Sequence, residues 1–387
     1  MIRPDVIIIE GHVQGLSNLR SVTKSGAVTW VIDKNTCIAS HSKYCKKFLR
    51  CPEYDSPDFI EFLLELGTKY KLSNCVLLPS NDHAVVNIAL HRSRLLSFYN
   101  LPGYDHKTIQ QICDKKSLLK LAERLHIPIP QTEYFENPEW VINSSLTFPT
   151  LTKGRFGLTF YKRIGRKAVV SRDVNELQMN LAEIGNSISL EHTFTQEIIP
   201  LGTTNKTISF AAFSVQGEIR VFWMGEKIRE HPSRFGTATA AVRVFRKDCL
   251  DHSEKLIREL NYTGICEIEY LQDPRDGRFM LIEINPRTWL WVGLAKDCGV
   301  DFAKYLYYYC RDIPVTYPSS YQEQVMWYNP ITDFFYSLLY SITLRLSPIQ
   351  YIRSFFLFKT RNALFERGDY RPGFAYVLSI LRILKTR

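Results

Sequence analysis

Two strands joined by a tight turn are predicted by the stretch Gly264-Ile-Cys-Glu-Ile-Glu-Tyr-Leu-Gln-Asp-Pro-Arg-Asp-Gly-Arg-Phe-Met-Leu-Ile-Glu-Ile-Asn-Pro-Arg287. Its centre, Asp273-Pro-Arg-Asp-Gly277, has the composition of a turn, because proline presets φ and glycine readily takes a positive φ. The runs on both sides alternate with a period of two, which is typical of strands. The stretch therefore predicts a β-hairpin.

The hairpin would bring carboxylates face to face. Pairing that is symmetric about the turn places Glu269 opposite Glu283 and Glu267 opposite Asn285, and all four side chains then project from one face. Facing carboxylates repel one another across strands, so the arrangement indicates a positive charge between them. A strand with one wet face alternates in the same way, and this is the alternative for any single one of these residues.

The ligand chemistry of this face suits a hard cation. Oxygen ligands of this kind are typical of Mg²⁺, which takes one or two carboxylates and leaves room for phosphate oxygens. Arg287, just past the second strand, can hold a phosphate through a bidentate fork. The hairpin alone therefore predicts a Mg²⁺–nucleotide site. The role of Glu267, behind the ligands or on an ordinary wet face, stays open.

The composition is that of a globular protein large enough for two or three domains. The chain has 387 residues, of which 45% are apolar and 23% charged. Its nine cysteines are odd in number, scattered and without a Cys-x-x-Cys pair, so neither a disulfide framework nor a zinc site is predicted. The N-terminal residues lead directly into a strand-like run without a signal-peptide pattern, which predicts a cytoplasmic location.

Positive charge is concentrated at the C-terminal end. The net charge is +10, and residues 331–387 contain nine Lys or Arg against Asp333, Glu366 and Asp369. The segment is rich in Phe, Leu, Ile and Tyr, but its longest uncharged run, residues 334–344, is too short to span a bilayer. Two interpretations are open: a helical cap packed on the body of the protein, or a surface that lies on the inner face of an anionic membrane or binds an acidic partner. Nucleic acid is not expected, because no nucleic-acid motif is present.

The first part of the chain has a doubly wound pattern. Strand-like runs at 5–10, 27–33 and 76–79 alternate with polar loops and helical segments. This order predicts a parallel sheet with a ligand crevice at the carboxyl ends of its strands. The glycine spacing in residues 11–18 is not that of a nicotinamide-dinucleotide loop. We expect residues 1–105 to form one small, Rossmann-like α/β domain.

The middle of the chain predicts an α+β region. Asp114 is suited to cap a helix that ends before the prolines at 128 and 130. The strand-like segments that follow are at 148–153, 167–171, 193–200, 207–213 and 218–223, and the opening hairpin comes after them. Antiparallel hairpins therefore dominate this region.

These motifs, taken in order, resemble the ATP-grasp superfamily. The resemblance rests on Asp114-Lys115, Phe148-Pro149 with Lys153, Gln196-Glu197-Ile-Ile-Pro200, and Glu269 with Glu283-Ile-Asn285-Pro-Arg287. It covers about residues 5–305. Within the superfamily the chain looks most like predicted ATP-dependent carboligases of bacteria, which are similar also at 163–166 and 226–232.

The resemblance implies a domain plan. An ATP-grasp domain would span residues 106–310, with two subdomains that meet near residue 194 and ATP between them. The α/β domain over 1–105 would precede it, and a basic, aromatic, helical extension over 311–387 would follow.

The resemblance also implies which residues bind the nucleotide. Lys115, or alternatively Lys116, would lie near the phosphates, and Lys153 would contact the α- and β-phosphates. Glu197 and Ile199 would bracket the adenine through side chain and backbone.

The hairpin residues would act at the other end of the nucleotide. Glu269, Glu283 and Asn285 would hold Mg²⁺, with Mn²⁺ as an alternative, and Arg287 would stabilise the phosphoryl group during transfer.

Two basic segments, 154–166 and 227–236, need separate interpretation, and the first of them departs from the family pattern. Many family members have a glycine-rich flap where this chain has residues 154–166, which are bulkier and carry Arg155, Arg163 and Arg166 beside backbone N–H groups able to cradle phosphate. The second segment is 227–236.

The second basic segment is the candidate for acceptor binding. We expect Arg229, His231 or Arg234 to bind a carboxylate or phosphate of the acceptor. A solvated charged loop is the alternative.

The resemblance implies a ligase that makes an acyl phosphate from ATP and a carboxylate, which an amine or similar nucleophile then attacks. Its substrates would be small molecules or envelope and polysaccharide precursors, and a homodimer is common among similar enzymes. Two other hypotheses stay open: an ATP-binding regulatory or scaffold protein, and a membrane-surface or partner-binding protein in which residues 320–387 carry the function.

Overall fold

The computed structural model describes residues 3–103, 105–200, 206–232, 236–343 and 346–385. Within these residues the strands form three sheets, of five, four and seven strands. The sheets follow one another along the chain and are called the first, second and third sheet.

The first sheet is parallel throughout. Its strands are β1 Val6–Ile9, β2 Thr29–Asp33, β3 Lys47–Arg50, β4 Cys75–Pro79 and β5 Tyr99–Asn100, in the order β3-β2-β1-β4-β5. The helices are α1 Val13–Lys24, α2 Pro57–Tyr70, α3 Asp82–Leu90 and α4 Arg92–Leu95, with a 3₁₀ helix at Ile38–His41. The three inner strands match the predicted runs. Strand order reverses between β1 and β4, so the loops after these two strands open a crevice at the carboxyl edge.

The second sheet is antiparallel and smaller. Two helices, α5 His106–Cys113 and α6 Lys115–Arg124, lead into it, and Asp114 caps α6 as predicted by accepting a hydrogen bond from the Lys116 N–H. Its strands are β6 Thr132–Glu133, β7 Thr150–Gly154, β8 Val169–Ser171 and β9 Thr193–Glu197, in the order β6-β9-β7-β8. Its helices are α7 Gly157–Ile164 and α8 Val174–Gly185, with 3₁₀ helices at Pro138–Asn143 and Leu190–His192.

The third sheet contains the predicted hairpin near one edge. Its strands are β10 Thr207–Val215, β11 Glu218–His231, β12 Thr237–Arg243, β13 Gly264–Gln272, β14 Phe279–Asn285, β15 Val325–Tyr328 and β16 Lys359–Asn362, in the order β14-β13-β10-β11-β12-β15-β16. Helices α9 Lys247–Glu259, α10 Val292–Asp297 and α11 Phe302–Cys310 belong to this part of the chain. All strand pairs are antiparallel except β15 with β16.

The C-terminal segment is not purely helical, and that prediction is corrected. It contains α12 Pro330–Ile342, α13 Pro348–Leu357 and α14 Arg371–Lys385, but β15 pairs with β12 and β16 pairs with β15. Each strand has only four residues, which is too short for a periodicity to be recognised in the sequence. The third sheet thus continues across the predicted boundary at residue 310. No helix in the described part of the chain has both the length and the apolar character needed to cross a bilayer.

Apolar packing joins the first and third sheets. One core cluster combines β1 and α2 residues such as Ile7 and Phe59 with Ile268 of β13, and a second combines Leu16 of α1 with Trp223 of β11. The second sheet has its own smaller core under α7 and α8. Burial of this kind fixes the third sheet against the carboxyl edge of the first.

Candidate functional site

One large cavity contains most of the predicted site residues. Its volume is about 880 Å³, within the usual range for ligand sites, and residues of the second sheet, the third sheet and α3 line it. Eight predicted residues are among them: Lys115, Lys153, Glu197, Ile199, Glu269, Glu283, Asn285 and Arg287. The structure therefore brings together residues that are up to 172 positions apart in the sequence.

The hairpin has the predicted register. Glu269 of β13 pairs with Glu283 of β14, and Glu267 pairs with Asn285. In the turn, Gly277 has φ of +79°, a left-handed conformation that glycine adopts without strain. Beside the turn Gln272 pairs with Phe279, and a β-bulge between Glu269 and Tyr270 then brings Glu269 opposite Glu283, so that two carboxylates face each other in the cavity wall.

Glu267 lies behind the cavity wall, and its open role is now clear. Its carboxylate accepts hydrogen bonds from the Ser209 hydroxyl at 2.6 Å and from Asn285 Nδ2 at 3.0 Å. Burial, with Glu269 nearby, raises the pKa of Glu267 to about 8. Because its amide nitrogen is held in this way, Asn285 keeps its oxygen available, and that oxygen accepts from Arg287 Nη2 at 3.3 Å. Glu267 therefore orients Asn285.

Two lysines neutralise the facing carboxylates. Lys115 Nζ lies 2.8 Å from Glu283 Oε2, and Lys227 Nζ lies 2.9 Å from Glu269 Oε2. The Lys115 ammonium lowers the pKa of Glu283 to about 2, against the opposing effect of burial. The positive charge expected between the carboxylates is thus supplied by side chains here. Lys227 is a residue that sequence reasoning missed.

The metal-ligand set is small. Glu269, Glu283 and Asn285 supply two carboxylates and one amide oxygen on one face, which fits a cation that completes its shell with phosphate and water. Within the described ranges, no three His, Cys, Asp or Glu side chains form a group able to hold a metal alone.

Among the described residues, the Lys153 ammonium group has no hydrogen-bond or ion-pair partner. Lys153 stands near the end of β7 in the cavity wall. Burial lowers the pKa of Lys153 to about 8, and the charge of Lys115 adds to this effect. An anion bound in the cavity would stabilise the charged form of Lys153 against both burial and the repulsion from Lys115.

Arg287 connects the hairpin to the first sheet. Its Nε and Nη2 donate to the two carboxylate oxygens of Asp82, at 2.7 and 2.8 Å, and its Nη1 donates to the Thr288 carbonyl at 2.9 Å. Although burial opposes the charge, Asp82 raises the pKa of Arg287. Asp82 is the first residue of α3 and directly follows the loop after β4 that forms the crevice. The guanidinium is thus fixed in position at the meeting point of two sheets.

The carboxylate of Glu197 is already engaged. It accepts from both terminal nitrogens of Arg275, at 2.8 and 3.0 Å, and from the Gln131 N–H at 3.0 Å. Arg275 lies in the hairpin turn and was not singled out from the sequence. Ile199 lies in the cavity wall two residues further on, and its backbone groups have no hydrogen-bond partner among the described residues. In the structure the backbone at Ile199 is therefore better placed for a ligand than the Glu197 side chain.

The predicted flap contains a helix. Within residues 154–166 the chain forms α7, and Gly157, Thr159 and Tyr161 line the cavity. Lys162 of α7 binds Asp55 at 2.5 Å, which connects α7 to the loop between β3 and α2.

The three flap arginines lie apart from the cavity lining. Arg155 binds the Asp114 carboxylate, with its Nε at 2.9 Å, and Arg163 and Arg166 are exposed. The expectation that they add charge beside a phosphate is not met in this arrangement.

Arg229 and His231 do not line the cavity. Arg229 donates from Nε and Nη2 to the buried Asp333 at 2.7 and 2.8 Å, and from Nη1 to Ser354 at 3.0 Å. The His231 ring stacks on Tyr336 with centroids 3.4 Å apart. Both residues thus face the C-terminal helices, and the third candidate, Arg234, lies outside the described residues.

A β-bulge explains this arrangement. Lys227 pairs with Ala241 and Arg229 with Ala240, so β11 has one extra residue between them. Because side chains alternate along a strand, the extra residue turns Arg229 away from the face that Lys227 occupies. Sequence periodicity without the bulge would place both on one face.

The comparisons with known proteins point to one family. A family model described as "Carbamoyl-phosphate synthase L chain, ATP binding domain" matches residues 218–306. A D-aspartate ligase from Enterococcus faecium (strain Aus0004) is 22% identical over 251 residues, which is 61% of this chain and 59% of the ligase. The chain thus spans little more than half the length of this curated relative.

Solved structures share the fold. A biotin carboxylase from Campylobacter jejuni, in a β-γ-ATP complex, superposes with a TM-score of 0.65 at 12% identity, covering 84% of this chain and 74% of that chain. The biotin carboxylase domain of 2-oxoglutarate carboxylase from Hydrogenobacter thermophilus, in complex with MgADP, ADP and bicarbonate, has a TM-score of 0.62 at 15% identity, covering 82% and 72%. At these identities the likeness concerns the fold alone.

The matched region coincides with the central part of the site. Residues 218–306 include β11, which carries Lys227, and the β13–β14 hairpin, which carries the facing carboxylates. The ordered motifs, the shared fold and the family model agree. The chain therefore has an ATP-grasp fold, and residues 218–306 match an ATP-binding domain model of that kind.

Proposed function

We propose that the chain is an ATP-dependent ligase that activates a carboxylate as an acyl phosphate and joins it to an amine. One observation carries the proposal: five cationic side chains and two facing carboxylates meet in a single cavity. The cations are Lys115, Lys153, Lys167, Lys227 and Arg287. Phosphoryl transfer depends on positioning and charge neutralisation more than on a protein nucleophile, and this set supplies both.

The nucleotide would lie between the second and third sheets. Lys153, whose ammonium group has no side-chain partner in the part of the chain that the structure describes, is suited to the α- and β-phosphates, with Lys115 beside it. The free backbone groups at Ile199 are suited to the adenine edge, because a backbone N–H and C=O can pair with its ring nitrogen and amino group. Glu197 would support this strand through Arg275 rather than contact the base.

The hairpin carboxylates would hold the cation that accompanies ATP. We assign Glu269, Glu283 and Asn285 to Mg²⁺, with Mn²⁺ as an alternative. When bound, the cation would neutralise the β- and γ-phosphates. The ammonium groups of Lys115 and Lys227, which pair with these carboxylates in the structure, would then be available to the phosphates. MgADP in the Hydrogenobacter structure supports the choice of metal.

The reaction follows in two steps. A carboxylate oxygen of the first substrate attacks the γ-phosphorus of ATP, the bond from γ-phosphorus to the β-bridging oxygen breaks, and ADP leaves. The amine nitrogen of the second substrate then attacks the acyl carbon, a C–N bond forms, inorganic phosphate leaves, and the nitrogen loses a proton. Arg287, held by Asp82, would stabilise the charge of the phosphoryl group as it moves.

Both substrates would enter from the first sheet. The loops after β1 and β4, at 10–12 and 80–81, form the crevice beside Arg287, so we assign the acceptor to them. We propose that residues 1–105 form the substrate crevice and that residues 106–310 form the nucleotide site. Residues 311–387 are the C-terminal segment. The proposed compartment is the cytoplasm, where ATP is available, and a homodimer remains a prediction.

The test is an ADP-release screen with the full chain, Mg²⁺ and ATP over a panel of carboxylates and amines. The likeness to a D-aspartate ligase makes amino acids the first members of the panel. We expect ADP release that requires one carboxylate and one amine together, with the condensed product seen by mass spectrometry. Tight ATP binding without ADP release across the panel would instead support an ATP-binding regulatory protein.

A further inference from the structure

The helix α12 carries its apolar residues outward. Its buried positions are Asp333 and Ser337, one helical turn apart, whereas five large apolar residues are exposed. These are Phe334, Phe335, Leu338, Leu339 and Ile342, the last of them 72% exposed. A helix on a water-facing surface normally has the opposite pattern, with its apolar stripe buried.

The next helix repeats this pattern, and α14 follows it only in part because it also buries Tyr376. α13 buries Ser354 and exposes Ile349, Ile352, Phe356 and Leu357, of which Phe356 is 85% exposed. α14 exposes Phe374 and Leu378. These exposed side chains of α12, α13 and α14 are called the apolar face. A concentration of large exposed apolar residues marks an interaction site, unlike single ones scattered over a surface.

Polar contacts hold the apolar face outward. Arg229 binds Asp333 of α12 and Ser354 of α13 at once, so it fixes the rotation of both helices. Tyr376 of α14 accepts a hydrogen bond at 3.2 Å from Asn329, the N-cap residue of α12. Rotating α12 to bury its apolar residues would turn Asp333 outward and leave the largely buried Arg229 guanidinium without its carboxylate partner.

Unpaired basic residues accompany the apolar face. Arg353, Lys359, Arg367 and Arg371 are exposed, and in the described part of the chain none of them has a carboxylate within 4.0 Å. The acidic residues of the same segment are all engaged in ion pairs inside the protein. They are Asp333, Glu366 and Asp369. The segment therefore presents apolar surface and positive charge together.

We propose that the apolar face docks on a lipid bilayer that contains anionic lipids, with the helices lying in the plane of the interface. The apolar side chains would enter the acyl boundary while the basic side chains meet headgroup phosphates, a combination typical of interfacial helices. A second copy of the chain fits the surface less well. Face-to-face pairing of two copies would bring two sets of unpaired basic side chains together.

The test is co-sedimentation of the full chain with vesicles, without ATP. We expect binding to phosphatidylcholine vesicles that contain phosphatidylglycerol, and much weaker binding to pure phosphatidylcholine. Each basic residue near the surface contributes roughly fivefold to such a partition, so raising the ionic strength from about 0.1 M to 1 M should weaken it at least tenfold. The double substitution Phe335→Asp and Leu339→Asp should also lower the partition coefficient by about tenfold or more.

Matched controls separate docking from a general loss of exposed apolar residues. Ile142→Asp with Met179→Asp changes two apolar residues that are 81% and 67% exposed beside the second sheet, and it should leave vesicle binding unchanged. Circular dichroism of each variant checks the fold. The proposal is overturned if wild type fails to bind anionic vesicles, or if the α12 double variant binds as well as wild type. It is also overturned if the variant instead converts a dimer in solution to a monomer, since the face would then pair copies of the chain.

Discussion

Replacing Glu283 by glutamine is expected to lower the rate of ATP turnover by about a thousandfold or more while the protein stays folded. The amide has the shape of the carboxylate but carries no charge, so the cation would lose one of its two anionic ligands. The Lys115 ammonium, which now pairs with Glu283 at 2.8 Å, would lose that partner as well. Steady-state ADP formation measures the effect, with Mg²⁺ varied to show the expected rise in the concentration that gives half-maximal rate.

A carboxylate elsewhere on the third sheet provides the control. Glu218, at the start of β11, is exposed, so Glu218→Gln should leave turnover within twofold of wild type. Thermal unfolding should change little in Glu283→Gln, because the pair with Lys115 is partly exposed and contributes at most about 1 kcal/mol. Undiminished ADP formation in Glu283→Gln would exclude the metal-binding role of the hairpin.

Replacing Arg229 by alanine is expected to lower the free energy of unfolding by about 3–5 kcal/mol. The substitution leaves the carboxylate of Asp333 buried, with only the Thr239 hydroxyl, at 2.8 Å, of its present side-chain partners. It also removes the contact that links α12 to α13. Urea denaturation followed by circular dichroism measures the loss.

The measurement also decides between two roles for Arg229. If Arg229 is a structural residue, its substitution should lower stability strongly and change the KM for ATP or acceptor little. If Arg229 binds the acceptor, as the sequence suggested, the substitution should raise the acceptor KM strongly and change stability little. Arg124→Ala is the matched control, because Arg124 forms an equally short but exposed ion pair with Glu259. That substitution should cost no more than about 1 kcal/mol. An Arg229→Ala protein of unchanged stability with a strongly raised acceptor KM would restore the earlier interpretation.

The hairpin could be predicted from sequence because its determinants are local. The Pro-Arg-Asp-Gly sequence predicts the turn, and the alternation on both sides predicts the two strands. The pairing of Glu269 with Glu283 depends in addition on a β-bulge between Glu269 and Tyr270. Local residue patterns likewise predict the Asp114 cap of α6 and the inner strands of the first sheet. Order along the chain then connected these parts through the family resemblance.

Other features depend on contacts that the sequence does not display. The bulge in β11 separates Lys227 from Arg229, and nothing in the residues around them signals the extra position. The engagement of Glu197 by Arg275 joins residues 78 positions apart. The strand β15 forms because it pairs with the edge of β12, and β16 then pairs with β15. These tertiary contacts cannot be predicted from runs of only four residues.

The exposed apolar face shows a different limit. Composition alone indicated a basic, aromatic segment, which is compatible with a packed cap as well as with a surface. Only the burial of Asp333 and Ser337 shows which side of α12 faces the protein. A polar residue that binds a distant partner, here Arg229, can reverse the amphipathic arrangement expected from helical periodicity.

The central claim is that this cavity transfers the γ-phosphoryl group of ATP to a carboxylate. Transfer of ¹⁸O from the labelled carboxylate substrate to inorganic phosphate, followed by ³¹P nuclear magnetic resonance, tests it most directly. An acyl phosphate intermediate predicts one labelled oxygen in each phosphate released with ADP, in step with product formation. Unlabelled phosphate, or label found in AMP, would contradict the account.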